Sequence, residues 1–291
     1  MAAGLGGLGV MWRAAQDSDL PAINAFLSGH IQSSMFPLTN LREFGLNGSR
    51  PRALKAWVLG EAPRAVFSIT NEGMVLPQCP DCTDRELTEA IGLIRGQALF
   101  GIAGEAAQAR QIMRLAGWDD RPATLNSDEP GFTLDLNQLV IPDARDAELV
   151  PLGDVDRTVT QAWRRSYLIE AMDFEPERAE QQGTKDIAAY IERNTHKVLL
   201  IDGRPVGMTG FNARLPETVQ VGGVYTPPDL RGRGYAKLAV ALHLAEARRA
   251  GVTRAVLFAA SESAARAYIA IGFRPAGQYS LILFKNPKDP A

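Results

Sequence analysis

The sequence predicts an α/β protein in which one arrangement of strands and helices occurs twice in tandem. Three observations predict it: a strand–turn–helix pattern at residues 219–245, a strand–helix pattern at 255–273, and a copy of the second pattern 155 residues earlier. With 291 residues, 46% of them hydrophobic, the chain is long enough to form two cores of ordinary domain size.

The first pattern predicts an anion-binding turn. A β-branched run that starts at Val219 stops at two prolines, and a helical periodicity begins at Ala236. Between them lies Arg231-Gly232-Arg233-Gly234. The first N–H groups of a helix have no partner within the helix, so they can donate to a phosphate. The glycines allow close approach of the backbone, and the arginines add positive charge.

Two common phosphate motifs do not match this turn. The P-loop has Lys and then Ser or Thr after its last glycine, where this chain has Tyr235-Ala236. The dinucleotide fingerprint has a third glycine at the position of Lys237. The pattern R/Q-x-x-G-x-G/A does match, at Arg231, Gly234 and Ala236. Such a short turn is also typical of an ordinary solvated surface.

The second pattern predicts a buried strand at 255–260 followed by a helix. Ser261 or Ser263 is the expected N-cap, and the helix carries Ala264 and Tyr268. Gly272 is the expected left-handed cap, before Phe273, Arg274 and Pro275.

The two motifs, in this order, resemble those of the GCN5-related N-acetyltransferase (GNAT) family, whose second motif is N-x-x-A-x-x-x-Y-x-x-x-G-F. Ser261 replaces the asparagine, and the resemblance is strong over 199–284. It implies two tandem GNAT-like domains, each a mixed, strongly curved sheet with helices on both faces. It also implies acetyl-CoA or coenzyme A as cosubstrate, without a metal. The implied cofactor-binding residues are Val224, Tyr225, Thr226, Arg231, Gly232, Arg233, Gly234, Tyr235, Ala236, Ser261 and Ala264.

Acyl transfer to an amine requires an oxyanion donor and an acid for the leaving thiolate. Gly222-Gly223 permits a bulge that exposes a main-chain N–H. Tyr268 is the candidate acid, because its phenol, with a reference pKa of about 10, holds a proton at neutral pH that it can give to a thiolate. The alternative is that Tyr268 only packs in the core.

The sequence leaves the base open. Glu170, Asp173, Glu175 and Glu217 are candidates that are also ordinary surface carboxylates, and ordered water is a further route for the proton. His196 is expected to be structural or exposed. Four aromatic residues precede the strand at 199 and either pack in the core or line an acceptor pocket: Trp163, Tyr167, Phe174 and Tyr190.

The first half repeats the second. Ala109, Met113, Gly117 and Trp118 precede Ala264, Tyr268, Gly272 and Phe273 by one constant offset, and hairpins at 58–67 and 200–208 correspond. We predict a flexible lead-in at 1–10, a degenerate domain at 11–140 and a cofactor-binding domain at 145–291. In the first copy, the loop 78–84 has no glycine and carries Asp81 and Asp84, and Met113 has no proton to donate.

Composition restricts the remaining classes. The 31 basic and 33 acidic residues provide no basic surface for nucleic acid, and no apolar run approaches the roughly 20 residues of a membrane span. Two cysteines favour the cytoplasm. They form Cys79-Pro80-Asp81-Cys82, which is a plain loop, a redox dithiol or half of a zinc site.

These observations predict an acyl-CoA-dependent N-acyltransferase that acetylates a small amine. One alternative is a regulatory protein that binds acyl-CoA without turning it over, and another is an enzyme that modifies protein N-termini or lysines. The sequence sets no preference between monomer and homodimer.

Overall fold

A computed structural model describes residues 11–144, 146–286 and 290–291. The chain divides into two compact units. Unit 1 contains the described residues of Met1–Ala123 and Ser280–Ala291, and unit 2 contains those of Thr124–Tyr279. The predicted lead-in at 1–10 lies outside the described residues.

The described residues of unit 1 form a mixed β-sheet and four α-helices. Its elements are β1 (Trp12–Ala14), α1 (Leu20–Gly29), α2 (Ile31–Phe44), β2 (Leu54–Leu59), β3 (Ala65–Thr70), β4 (Met74–Val75), α3 (Asp84–Leu93), β5 (Gly101–Glu105) and α4 (Ala106–Ala116). β1 to β4 pair antiparallel in sequence order, and β4 pairs parallel with β5. The core includes Phe67, Ile69, Ile102, Ile112 and Trp118.

Unit 2 repeats this plan, and most of its elements are longer. They are β6 (Ala123–Asp135), β7 (Ala147–Pro151), α5 (Arg157–Met172), α6 (Pro176–Arg193), β8 (His196–Ile201), β9 (Arg204–Arg214), β10 (Thr218–Tyr225), α7 (Tyr235–Arg249), β11 (Arg254–Phe258), α8 (Glu262–Ile269) and β12 (Arg274–Phe284). The strand order is β12-β6-β11-β10-β9-β8-β7. Only β10 and β11 pair parallel among the pairings described for this unit. The predicted α/β class with mixed sheets is confirmed.

The two faces of the unit 2 sheet carry different helices. Val219 and Val221 of β10 pack with Val240 and Leu244 of α7. Val198 and Met208 pack in a second cluster with Ile187 of α6 and with Trp163 and Tyr167 of α5. The aromatic residues of α5 and α6 therefore pack in the core of this face, whereas Phe174 lies in the connection between the two helices.

The compact units and the sequence repeats have different ends. β6 follows the last helix of the first repeat, but it pairs antiparallel with β11, and Phe132 and Leu134 belong to the core of unit 2. At the other end of the chain, Ile282 and Phe284 of β12 belong to the core of unit 1. Each unit therefore contains a strand segment from the opposite repeat, and these segments bury large apolar side chains there.

The ends of α4 and α8 show the repeat in detail. The N–H of Trp118 donates to Met113 O at 2.9 Å, and the N–H of Phe273 donates to Tyr268 O at 3.2 Å. Gly117 and Gly272 precede these aromatic residues and have φ of 69° and 106°, a region that favours glycine.

Cys79 and Cys82 are free thiols. Both are buried, and both belong to the loop that joins β4 to α3. In the described part of the chain, no helix is long and apolar enough to span a membrane.

Candidate functional site

A bulge interrupts β10 near its carboxyl end. Gly222 lies opposite Gly210 of β9, but Tyr225 lies opposite Met208, so β10 has one more residue than β9 between these pairs. Gly223 lies within this stretch and has φ of 63°. The predicted bulge at Gly222-Gly223 is confirmed.

β10 and β11 separate at the same place. Their parallel pairing covers Thr218–Gln220 and ends there, although β10 continues to Tyr225 and β11 to Phe258. Main-chain groups of β10 beyond Gln220 thus face a gap between two strands of one sheet. Such a gap admits an extended ligand that hydrogen-bonds to the backbone.

His196 fixes the position of the bulge. Its imidazole stacks on Tyr190 of α6 with ring centroids 3.6 Å apart. A Cβ on Gly223 would lie 2.5 Å from His196 Nε2, and one on Gly210 would overlap the same ring. Burial lowers the pKa of His196 far below its ordinary value, so the ring is neutral. His196 is therefore structural, and the two glycines accommodate it.

The turn before α7 leaves the helix start open. Gly234 is the N-cap, with φ of 83°, and no described side chain caps this helix end. The space that a Cβ on Gly232 would occupy is clear of other described atoms within 4 Å. The first turn of α7 contains no acidic residue. Its free N–H groups and the helix dipole therefore favour an anion.

The structure gives the two arginines of this turn different roles. Arg231 Nε donates to Thr226 O at 2.9 Å, and its Nη2 lies 2.5 Å from Glu170 Oε2. Tyr225 also donates to Glu170, at 3.1 Å. Arg231 thus ties the turn to α5. Arg233 is exposed, with one contact to the Asp229 carbonyl at 3.3 Å, so its charge is accessible to a ligand.

Tyr268 of α8 lies in the core, with its ring edge-on to Phe273 at a centroid distance of 6.0 Å. The hydroxyl has no hydrogen-bond partner among the described residues. Burial raises the pKa of Tyr268 well above its ordinary value, and the charges of Tyr167 and Glu129 act in the same direction. The hydroxyl therefore stays protonated and is available to donate. At the start of α8, Ser261 is the N-cap and accepts from Ala264 N at 3.2 Å.

Tyr167 connects Tyr268 to a charged pair on α5 and α6. Arg164 lies over the Tyr167 ring at 4.9 Å and contacts Asp186 at 2.6 Å. Burial raises the pKa of Tyr167, Arg164 lowers it, and Glu129 raises it. The charge of Glu129 thus raises the pKa of both phenols, Tyr167 and Tyr268.

The candidate bases from the sequence differ in their surroundings. Glu170 is paired with Arg231. Asp173 is the left-handed C-cap of α5, and Glu175 is the N-cap of α6. Glu217 precedes β10, at the end of the strand opposite to the bulge, and its carbonyl accepts from Thr253 and Arg254.

Glu129 is the residue that the sequence reasoning missed. It belongs to the repeat that the sequence predicts to be degenerate, and the pairing of β6 with β11 brings it into unit 2. The sequence contained one signal, a Glu-Pro-Gly at 129–131 inside an alternating strand pattern.

The arrangement combines an open helix start, a backbone bulge, a buried phenol and a half-buried carboxylate. It can hold an extended phosphate ester, donate a proton and accept one. Among the described residues, no group of three or more His, Cys, Asp or Glu side chains is placed to hold a metal.

Residues 159–273 match the model of the acetyltransferase (GNAT) family. No curated protein matches the chain significantly.

Solved structures resemble the fold over almost the whole chain. An acetyltransferase from the GNAT family from Colwellia psychrerythraea is 17% identical with a TM-score of 0.54, covering 94% of this chain and 99% of that one. A GCN5-related N-acetyltransferase from Sphaerobacter thermophilus is 15% identical with a TM-score of 0.58, covering 97% and 96%. A tandem GNAT protein from the clavulanic acid biosynthesis pathway is 14% identical with a TM-score of 0.55, covering 96% and 98%.

Proposed function

The chain contains an acetyltransferase domain of the GNAT family, and from this premise we propose that it transfers an acetyl group from acetyl-CoA to a small primary amine. GNAT domains generally bind acetyl-CoA, so acyl-CoA-dependent transfer is the activity that family membership supports.

The observation that carries the proposal is the open start of α7 beside the bulge of β10. Free N–H groups at Gly234 and beyond suit a pyrophosphate, and Arg233 adds accessible positive charge. The backbone of Val224 and Tyr225 in the gap suits an extended pantetheine arm. The residues present thus fit acetyl-CoA at both its charged and its extended part.

The remaining residues fit the chemistry. The main chain at Gly223 is the candidate donor to the oxyanion, because its bulge is fixed by His196. Tyr268 is the candidate acid for the leaving thiolate. Its raised pKa keeps the proton on the phenol in the resting enzyme, and the transfer to the thiolate is driven by the amine nitrogen, which loses a proton in the same reaction.

The unpaired Tyr268 hydroxyl favours an enzyme over an acyl-CoA-binding regulatory protein, because mere binding of the cofactor does not need a buried proton donor. We take a small amine as the acceptor, in preference to a protein N-terminus or lysine, because Tyr268 is buried and Tyr167 and Glu129 are half-buried, rather than set in an open groove.

Calorimetric titration with acetyl-CoA tests the proposal. We expect one site per chain, and we expect Arg233→Glu to weaken binding at least about tenfold, since hydrogen bonds to charged groups contribute about 1.5–3 kcal/mol. Arg249→Glu is the matched control, because it makes the same charge change at the other end of α7. The proposal fails if the wild type does not bind, or if the two variants bind equally.

A further inference from the structure

We propose that Glu129 of β6 binds the ammonium group of the acceptor and takes its proton. The inference rests on the proposed function, because it assigns the base of the same transfer. It also assigns a residue of the first sequence repeat to the chemistry of unit 2.

Strand pairing places Glu129 next to the end of β11, the strand that borders the gap on one side. Gly131 of β6 lies opposite Phe258, the last residue of β11, and Ala259 N donates to Pro130 O at 3.0 Å. Glu129 therefore lies just beyond the end of β11, where the chain turns into α8. The N-cap Ser261 follows two residues after Ala259.

The strand pattern indicates which face Glu129 occupies. Phe132 and Leu134 pack in the cluster that contains α7 and α8 residues. Successive residues of a strand point to alternate faces of the sheet. Glu129 and Gly131 therefore lie on the face opposite to Phe132 and Leu134, which is the face that α5 and α6 cover. The charge of Glu129 raises the pKa of Tyr167 on α5 and of Tyr268 on α8, so the carboxylate lies within electrostatic range of both phenols.

Glu129 has no cationic partner among the described residues, although it is half-buried. Its single described hydrogen bond is from Ser127 Oγ, at 3.5 Å. The other carboxylates near this face are paired, Glu170 with Arg231 and Asp186 with Arg164. Burial raises the pKa of Glu129. A half-buried carboxylate without a counter-ion is unfavourable, and an ammonium ligand would offset that cost.

The proton balance is complete with two residues of this chain. Glu129 takes one proton from the ammonium, and the amine nitrogen then forms a bond to the thioester carbonyl carbon. The C–S bond breaks, Tyr268 protonates the thiolate, and the phenolate takes the second amine proton. Glu129 finally releases its proton to solvent, so each turnover produces amide, thiol and one proton.

The test compares Glu129→Gln with Glu148→Gln, an exposed carboxylate on β7. Spermidine, glucosamine and a lysine-containing tripeptide are the amine probes, each with acetyl-CoA. We expect Glu129→Gln to lower kcat/KM for the amine about 10²-fold near pH 7, with the acetyl-CoA Kd within about twofold of the wild type. The deficit should shrink towards about pH 10, because the amine then loses its proton in solution. Tyr268→Phe should remain slow at every pH.

The outcomes separate the two proposals. If the wild type acetylates an amine and Glu129→Gln is as active as Glu148→Gln, Glu129 is not the base but the proposed function stands. A deficit of Glu129→Gln that is the same at every pH also overturns the assignment, because a purely structural role predicts it. If the wild type binds no acetyl-CoA, or acetylates none of the amines, both proposals fall.

Discussion

Helices α3 and α7 occupy equivalent positions in the two units, but they satisfy their first N–H groups differently. In α3, Thr83 is the N-cap, its hydroxyl accepts from Glu86 N at 3.3 Å, and the Glu86 carboxylate accepts from Thr83 N at 2.8 Å. This capping box closes the helix start. In α7, Gly234 is the N-cap, and no described side chain accepts a hydrogen bond from the first N–H groups of the helix. One fold thus presents a closed and an open helix start.

The charges reinforce the difference. Asp84 and Glu86 lie in the first turn of α3, whereas Arg231 and Arg233 precede α7. The acidic side chains complement the dipole of α3 and repel an anion, and the arginines leave the positive end of α7 available. Helix α3 therefore lacks the uncapped start, free of acidic residues in the first turn, that α7 has among the described residues.

The strands before the two helices differ in register. In unit 1, Val75 lies opposite Ile69 and Gln78 lies opposite Val66. On each side of the pairing the two residues are three apart in sequence, so neither side contains an extra residue. In unit 2, Tyr225 lies three residues after Gly222 on β10, but their partners on β9, Met208 and Gly210, are only two residues apart. The bulge is therefore specific to the unit with the open helix start.

The largest expected effect is at this bulge. Gly223→Ala places a Cβ at a φ of 63° and 2.5 Å from His196 Nε2. We expect a loss of about 2–5 kcal/mol of stability, since positive φ costs about 1–2 kcal/mol and overpacking about 1–3 kcal/mol. We also expect weaker acetyl-CoA binding. Urea denaturation and calorimetric titration measure the two effects.

Gly203→Ala is the matched control, because Gly203 also has positive φ, 72°, but a Cβ there meets nothing within 4 Å. Gly203→Ala should lower the free energy of unfolding only by the cost of positive φ, about 1–2 kcal/mol, and leave acetyl-CoA binding unchanged. Equal effects of the two variants would show that His196 does not fix the bulge.

A second difference between the units is the response to acid. His243 of α7 stacks on Phe211, and burial lowers its pKa to about 3. Below about pH 6.5, His243 takes up a proton in the unfolded chain but stays neutral in the folded chain. The free energy of unfolding therefore falls as the pH falls, by about 2 kcal/mol at pH 5. His196 adds a loss of the same sign.

His243→Phe removes the titrating group and keeps an aromatic stack on Phe211. We expect it to flatten the dependence of unfolding free energy on pH between about 7 and 5, as measured by urea denaturation. Hydrogen exchange should locate the acid-sensitive amides in unit 2. An unchanged slope in His243→Phe would mean that other groups cause the acid sensitivity.

Local features of the site followed from the sequence because they depend on near neighbours. Gly222-Gly223 predicted the bulge, and Ser261 predicted the cap of α8, since both rest on backbone conformation within a few residues. The roles of the distant partners did not follow. The contact of Arg231 with Glu170, 61 residues away in sequence, could not be predicted, and phosphate binding by Arg231 stays a prediction.

Glu129 shows why a repeat can mislead. The duplicated pattern assigns β6 to the first copy, because it follows the helix that matches α8. Its pairing depends on which strand edge it meets, and Phe132 lies opposite Leu257 of the second copy. Local propensity does not encode this choice, which the burial of Phe132 and Leu134 in unit 2 favours.

The smallest expected effect tests the closed helix start itself. Thr83→Ala removes the capping box of α3 and should cost about 1 kcal/mol, with faster hydrogen exchange in the first turn. Thr88→Ala is the matched control, since the Thr88 hydroxyl donates only to Asp84 O within the helix. Neither variant should change the affinity or stoichiometry for acetyl-CoA, because Asp84 and Glu86 still repel an anion after the cap is lost. A second acetyl-CoA site in Thr83→Ala would mean that the cap alone closes unit 1, and the acidic residues would then have no part in the difference between α3 and α7.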